Sequence, residues 1–200
     1  MFMKLIGLTG SIAAGKSTAL AVLRELGAHI IDVDEIARSV VEAGSEGAAA
    51  IRATFGDAYF TAHGHLERAK LAALVFENEA ERKKLEAITH PLINRELSRR
   101  VQAIVHEDAD AVIIVEVPLL FESGMDKQMD EAWVVVADDN VRLSRLMARN
   151  GLSEAEARAR MESQMPQQEK IRRASAVIDN SGAPEATRAQ IEALFAQRRN

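Results

Sequence analysis

The sequence predicts an α/β protein built on a parallel sheet covered on both faces, and three observations predict it. Short apolar runs suited to strands buried on both sides alternate with amphipathic helical stretches along most of the 200 residues. The first run, Leu5 to Leu8, leads into Gly10-Ser-Ile-Ala-Ala-Gly15-Lys16-Ser17, which fits G-x-x-x-x-G-K-[ST] without a gap and then opens a helix. A long helical stretch, about residues 35–107, exceeds what a simple crossover between parallel strands needs and reads as an insert between sheet strands.

The glycine loop is a P-loop, and each of its residues answers a physical need. Gly10 and Gly15 allow backbone angles and close approaches that a side chain would block, so successive amides can point at phosphate oxygens. Lys16 adds a movable positive charge for the β- and γ-phosphates, and Ser17 offers a hydroxyl to Mg²⁺. The helix that begins there directs its positive end at the same anion. Ile12, Ala13 and Ala14 are small or apolar, which leaves a nucleotide to be held by backbone groups.

Composition narrows the class. A hydrophobic content of 48% with 28% charged residues suits a globular chain long enough to bury a sizeable core. No cysteine is present, so disulfides and thiolate metal sites are excluded, which fits a reducing compartment. No apolar run approaches the roughly 20 residues that span a bilayer, and Met1 to Leu8 is expected to be too short and too soon interrupted for a signal peptide. The expectation is a cytoplasmic protein without a membrane partner. A formal net charge of −5 argues against general nucleic-acid binding but not against small anionic ligands. No obligate protein partner is expected.

The remaining elements follow in order. A helix is expected from about Ser17 to Leu26, with Gly27 suited to the left-handed position after it. A second strand runs from His29 to Val33, and Asp32 and Asp34 close it with period-two spacing, at the end where open α/β sheets bind ligands. Asp34 also suits an N-cap for a helix from Glu35 to Val41, so capping and chemistry both stay open for either aspartate. Within the insert, breaks are expected at Gly44, Gly47, Gly56 and Gly64. Ile51 with Phe55, Leu71 with Val75, and Ile93, Leu97, Val101 and Val105 form packing stripes. Arg68 and His90 are its polar points of interest, with Pro91 as a helix boundary or first helical residue.

Ala111 to Val117 reads as a third strand carrying Glu116, a candidate carboxylate for Mg²⁺, with Glu122 a weaker one. Trp133 to Ala137 is the fourth strand, and Asn140 is placed to cap the next helix. There Arg145 and Arg149 stand one turn apart, and Gly151 ends it. Ser153 and Glu156 form a capping box for a further helix to about Gln164, closed by Pro166. The two helices around Gly151 read as a lid, an arginine face being either a solvated surface or a source of charge for a bound triphosphate. Ala176 to Ile178 is the last strand, followed by a turn at Asp179–Gly182 and a terminal helix from Pro184 with Ile191, Leu194 and Phe195 on its packing face. A GTP switch is disfavoured, because the chain has no N-K-x-D and its only D-x-x-G lies late, at Asp179 to Gly182.

With these pieces in place, the chain resembles the dephospho-coenzyme A kinase family of P-loop kinases over nearly its full length. The matching stretches are G-L-T-G-S-I-A-A-G-K-S-T, I-I-D-V-D-E-I-A-R, H-P-L-I, V-P-L-L-F-E-S-G, Q-M-P-Q-Q-E-K and V-I-D-N-S-G. The resemblance implies a three-layer P-loop kinase fold with a five-stranded parallel sheet, a helical substrate-binding insert at about 35–107 and a lid at about 140–174, with the core at 1–34, 108–139 and 175–200. It implies phosphoryl transfer from ATP, with Mg²⁺, to the ribose 3′-hydroxyl of dephospho-coenzyme A. Asp34 then matches the catalytic base, and Lys16 with Gly10, Ala13, Ala14, Gly15, Ser17 and Thr18 matches the ATP site. Arg145 and Arg149 match lid arginines, and Arg68 and His90 match positions of the acceptor region. Ser11 stands where the family usually has a second glycine.

Overall fold

The computed structural model describes residues 3–199. Its sheet has five strands, β1 (Lys4–Gly10), β2 (His29–Asp32), β3 (Val112–Glu116), β4 (Glu131–Val136) and β5 (Ala176–Asp179), all parallel, in the order β2-β3-β1-β4-β5. The chain divides into two compact units. One comprises residues 1–31 and 104–200, and the other is Asp32–Ala103.

In the first unit the strands are Val-, Ile- and Leu-rich because both faces are covered. Ile6, Leu8, Val112, Ile114, Trp133, Val135 and Ile178 turn to one face and pack on α1 (Lys16–Glu25) and α9 (Pro184–Arg199) through Leu20, Leu23, Ile191 and Phe195. On the opposite face, a side chain at Gly7 would run into Leu120 and Met129. The central strand fixes the site by register: Leu8 of β1 lies beside Glu116 of β3, and Gly10 beside Val135 of β4. α6 (Asp139–Asn150) ends at Gly151, whose φ of 63° is the left-handed cap that glycine adopts without steric cost. The capping box of Ser153 and Glu156 opens α7 (Glu154–Glu162), and it holds the Glu156 carboxyl below its usual range.

The helical unit contains α2 (Val33–Ser39), α3 (Glu46–Phe55), α4 (Arg68–Glu77) and most of α5 (Glu79–Glu107), with a core of Val41, Ala48, Ile51, Phe60 and Leu71. The expected long stripe on α5 is uneven, since Leu97 is buried but Ile93, Val101 and Val105 are only half-buried. No helix among the described residues is long and apolar enough to cross a membrane.

Several local expectations are corrected. The second strand stops at Asp32, because that residue, still extended, accepts hydrogen bonds from Asp34 N (2.8 Å) and Glu35 N (3.2 Å). Asp32 is therefore the N-cap, and Asp34 lies inside the first helical turn, so the two carboxylates do not share a strand face. Gly47 does not break the chain but sits in the first turn of α3, where a Cβ would come within 2.2 Å of Val40 O. Pro91 lies inside α5 rather than at its start; both it and Ala87, whose carbonyl it leaves unbonded, are exposed, so solvent can meet the freed group. Asn140 is within α6, whose N-cap position belongs to Asp138. An unforeseen helix, α8 (Gln167–Arg173), follows Pro166 directly.

Candidate active site

The phosphate loop joins β1 to α1, and its shape follows from two close approaches. A Cβ at Gly10 would stand 2.7 Å from Val135 O of the neighbouring strand, and one at Gly15 would stand 2.0 Å from Asn180 Nδ2. Gly15 has φ 91°, and Ala13 has φ 61°, the one left-handed residue other than glycine among those described. For alanine that conformation costs about 1 kcal/mol. The loop thus carries alternating left-handed residues, the backbone pattern that turns amides into a common concavity for an anion.

Around it lies a cleft of about 450 Å³ lined by loop residues and by Lys16, Ser17, Glu116, Pro118, Arg145, Arg149 and Gln164. Lys16 Nζ is 2.9 Å from Glu116 Oε1, both side chains four-fifths buried. Glu116 therefore stands in the cleft beside the loop, paired with the loop lysine. Arg145 donates from Nη2 to Asn180 O at 3.0 Å, while its Nη1 is buried without a hydrogen-bond partner among the described residues and faces Gly15. A buried guanidinium nitrogen left without an acceptor is costly, so the cleft is poised for an anion. Arg149 is exposed, bonded to Asn150 Oδ1 at 2.9 Å, and lines the outer part of the cleft. Arg142, from the same helix, does something else: it is buried, pairs with Asp139 Oδ1 at 2.8 Å, and donates from Nε to Ile12 O at 3.1 Å.

Other expected residues fall as follows. Ala14 is fully buried, its N–H donating to Ser11 O and its carbonyl accepting from Asn180 Nδ2. Thr18 is exposed in the first turn of α1. Glu122 is turned to α8, where it pairs at 3.1 Å with the fully buried Lys170, so this carboxylate neutralises a core lysine and is withdrawn as a metal candidate. Asp34 and His90, in the helical unit, are exposed. The Asp34 carboxylate makes no hydrogen bond or ion pair among the described residues, because Asp32 has taken the capping duty. Arg38 Nε donates to Asp34 O, and Arg68 Nη2 donates at 2.9 Å to Arg38 O, which holds Arg68 to the helix bearing Asp34. Arg68 also rims an apolar cleft of about 230 Å³ with Val41, Ile51, Leu71 and Val75.

Reading by motif and spacing missed Gln164 and Asn180, which touch the loop from outside. Their only sequence signal was membership in the Q-M-P-Q-Q-E-K and V-I-D-N-S-G stretches.

A parallel sheet with a P-loop at the exit of its central strand, and cationic side chains gathered over that loop, defines a P-loop nucleotide-binding protein. The sequence profile of the dephospho-CoA kinase family matches residues 4–185. The chain is similar to the dephospho-CoA kinase of Geobacillus kaustophilus, at 48% identity over 192 residues, covering 96% of this chain and 95% of that one. Among solved structures it is similar to TT1252 from Thermus thermophilus, with a TM-score of 0.84 at 34% identity and 98% of each chain covered. It is also similar to dephospho-CoA kinase from Campylobacter jejuni, with a TM-score of 0.65 at 26% identity, covering 98% of this chain and 97% of that one. The chain belongs to the dephospho-CoA kinase family.

Proposed function

We propose that this chain transfers the γ-phosphoryl group of ATP to the ribose 3′-hydroxyl of dephospho-CoA, giving CoA and ADP, the last step of CoA synthesis, in the cytoplasm. The observation that carries the reading is Arg145 Nη1, buried over the P-loop without a hydrogen-bond partner among the described residues, inside a family whose profile spans most of the chain. Loop amides and Lys16 hold the β- and γ-phosphates, and on their arrival Lys16 exchanges its contact with Glu116 for phosphate oxygen. Arg145 stabilises the charge that spreads over the γ-phosphoryl oxygens as the bond to ADP breaks, and Arg149 adds to the field from the rim.

Asp34 orients the 3′-hydroxyl and accepts its proton while that oxygen bonds to phosphorus. Its freedom from capping leaves a carboxylate able to do so. Arg68 faces the acceptor's diphosphate, His90 its outer part, and the apolar cleft beside Arg68 suits the pantetheine arm. The donors near the phosphates, Ser17 hydroxyl and Glu116 carboxylate, are hard oxygens of the kind Mg²⁺ selects. They would hold the ion with phosphate oxygens and water, and Mg²⁺ would supply charge neutralisation at the phosphates.

A coupled ADP-release assay with a panel of hydroxyl acceptors tests the proposal. A rate with dephospho-CoA far above that with shikimate, gluconate or nucleosides is expected; equal rates without any acceptor would make the chain an ATPase and overturn it.

A further inference from the structure

The P-loop of this chain is held from outside at two alternate residues, and both tethers flank a strained one. Ile12 is gripped at both its polar groups: its N–H donates to Gln164 Oε1 at 2.8 Å, and its carbonyl accepts from Arg142 Nε at 3.1 Å. Ala14 is gripped at its carbonyl by Asn180 Nδ2 at 2.8 Å. Asn180 is itself oriented by Thr187, whose hydroxyl donates to Asn180 Oδ1 at 3.1 Å and whose side chain is almost wholly buried. Between the two tethers lies Ala13 at φ 61°. The side chains of Ile12 and Ala13 also pack against Leu143, Leu146 and Ala157 of α6 and α7.

An alanine left to itself disfavours the left-handed region by about fivefold or more, so a loop relying on Ala13 for its concave turn needs that conformation imposed. The local turn bond from Ala14 N–H to Ser11 O spans Ala13 but is a single contact, which depends on the peptide groups around it being held. Fixing the peptide groups on each side imposes the conformation, because Ala13 then has to satisfy the path between two immobile peptide planes.

We infer that Gln164 and Asn180 are positioning residues that clamp the P-loop at Ile12 and Ala14, and so hold Ala13 in the left-handed conformation that turns the loop amides toward phosphate. Gln164 and Asn180 act through the backbone, not on the reacting atoms. Asn180 carries a second duty, since its own carbonyl accepts from Arg145. One buried residue thereby bears on both loop shape and arginine position. The inference rests on the nucleotide-site reading above and deepens it.

The test is a double-mutant cycle that a general loss of folding could not mimic. Gln164→Met keeps the length of the side chain and removes the acceptor for Ile12 N–H. Ala13→Gly removes the preference against positive φ. Mg·ADP affinity is measured by calorimetry, with thermal unfolding alongside. Gln164→Met is expected to weaken ADP binding about tenfold, and Gln164→Met/Ala13→Gly to recover most of that loss, because glycine visits the left-handed region unforced. Recovery with no matching change in unfolding temperature supports the clamp. An ADP affinity within twofold of wild type for Gln164→Met, or a double variant as weak as the single one, would overturn it. Failure of the wild-type chain to bind Mg·ADP would instead sink the nucleotide-site reading, and the purpose of the clamp with it.

Discussion

The two compact units treat their polar side chains in opposite ways. In the sheet-bearing unit Thr9, Ser11, Arg142, Lys170, Asn180 and Thr187 are buried, and among the described residues no polar side chain is buried to that degree in the helical unit. There the charged groups form surface pairs, such as Arg100 with Glu35 at 3.1 Å and with Glu96 at 3.0 Å. The difference fits the division of labour proposed above. Transition-state charge is stabilised best by groups already fixed in a dry site, and those groups need buried partners to hold them. Under the proposed function, recognition of a flexible acceptor needs exposed groups on a scaffold, and Asp34, Arg68 and His90 are all exposed.

The largest effect should separate the units by rate. Arg145→Ala should lower kcat by ~10³-fold or more with a much smaller change in ADP affinity, as removal of a transition-state arginine does. Arg145→Lys should not restore it, since an ammonium cannot bond Asn180 O and also offer a second nitrogen in the same plane. Equal losses of kcat and ADP affinity would place Arg145 among mere binding groups. Asp34→Asn should lower kcat by roughly 10²-fold or more while leaving ADP binding and unfolding unchanged, within the range for a general base. Near-normal turnover would remove Asp34 from the reaction.

Packing distinguishes two glycines next. Gly47→Ala should destabilise by about 2 kcal/mol, because its Cβ would meet Val40 backbone that cannot swing aside. Gly27→Ala meets nothing within 4 Å and pays only for φ 90°, about 1 kcal/mol. Denaturant titration ranks them, and an equal cost would mean that α3 shifts to admit the methyl. The smallest effect concerns acid. Hydrogen bonds from Arg99 and Arg100 hold the Glu96 carboxyl down at about 2, from an ordinary 4.5. A carboxyl lowered in the folded state stabilises fully above its unfolded value and loses that contribution as pH falls from about 4.5 to about 2. Glu96→Gln should flatten the acid limb of the stability curve in that window by lowering stability near pH 7, a small loss for a pair this close to solvent, with the two curves converging as pH falls toward 2. An unaltered acid limb would show that Glu96 carries no linkage.

Much of the site was legible because it is local. The P-loop motif is read from eight consecutive residues, and the capping box of Ser153 and Glu156 and the left-handed ends at Gly27 and Gly151 each depend on residues within about four positions of one another. Local rules failed where two neighbours could do one job. Asp32 and Asp34 both suit a cap, and only the point at which the strand bends decided that Asp32 serves and Asp34 is released. Pro91 looked like a boundary because exposure of its turn was not visible in the spacing.

The sequence by itself determined the strand-loop-helix that grips phosphate, the alternation that makes a parallel sheet, and the family to which the chain belongs. Tertiary structure alone decided that Glu116 meets Lys16, that Glu122 is spent on Lys170, and that Gln164 and Asn180 reach the loop from 152 and 166 residues away. The physical reason is range. Backbone preferences and caps act within a turn or two and are written in neighbouring letters, whereas a buried polar partner is chosen by whichever strand or helix the fold brings alongside.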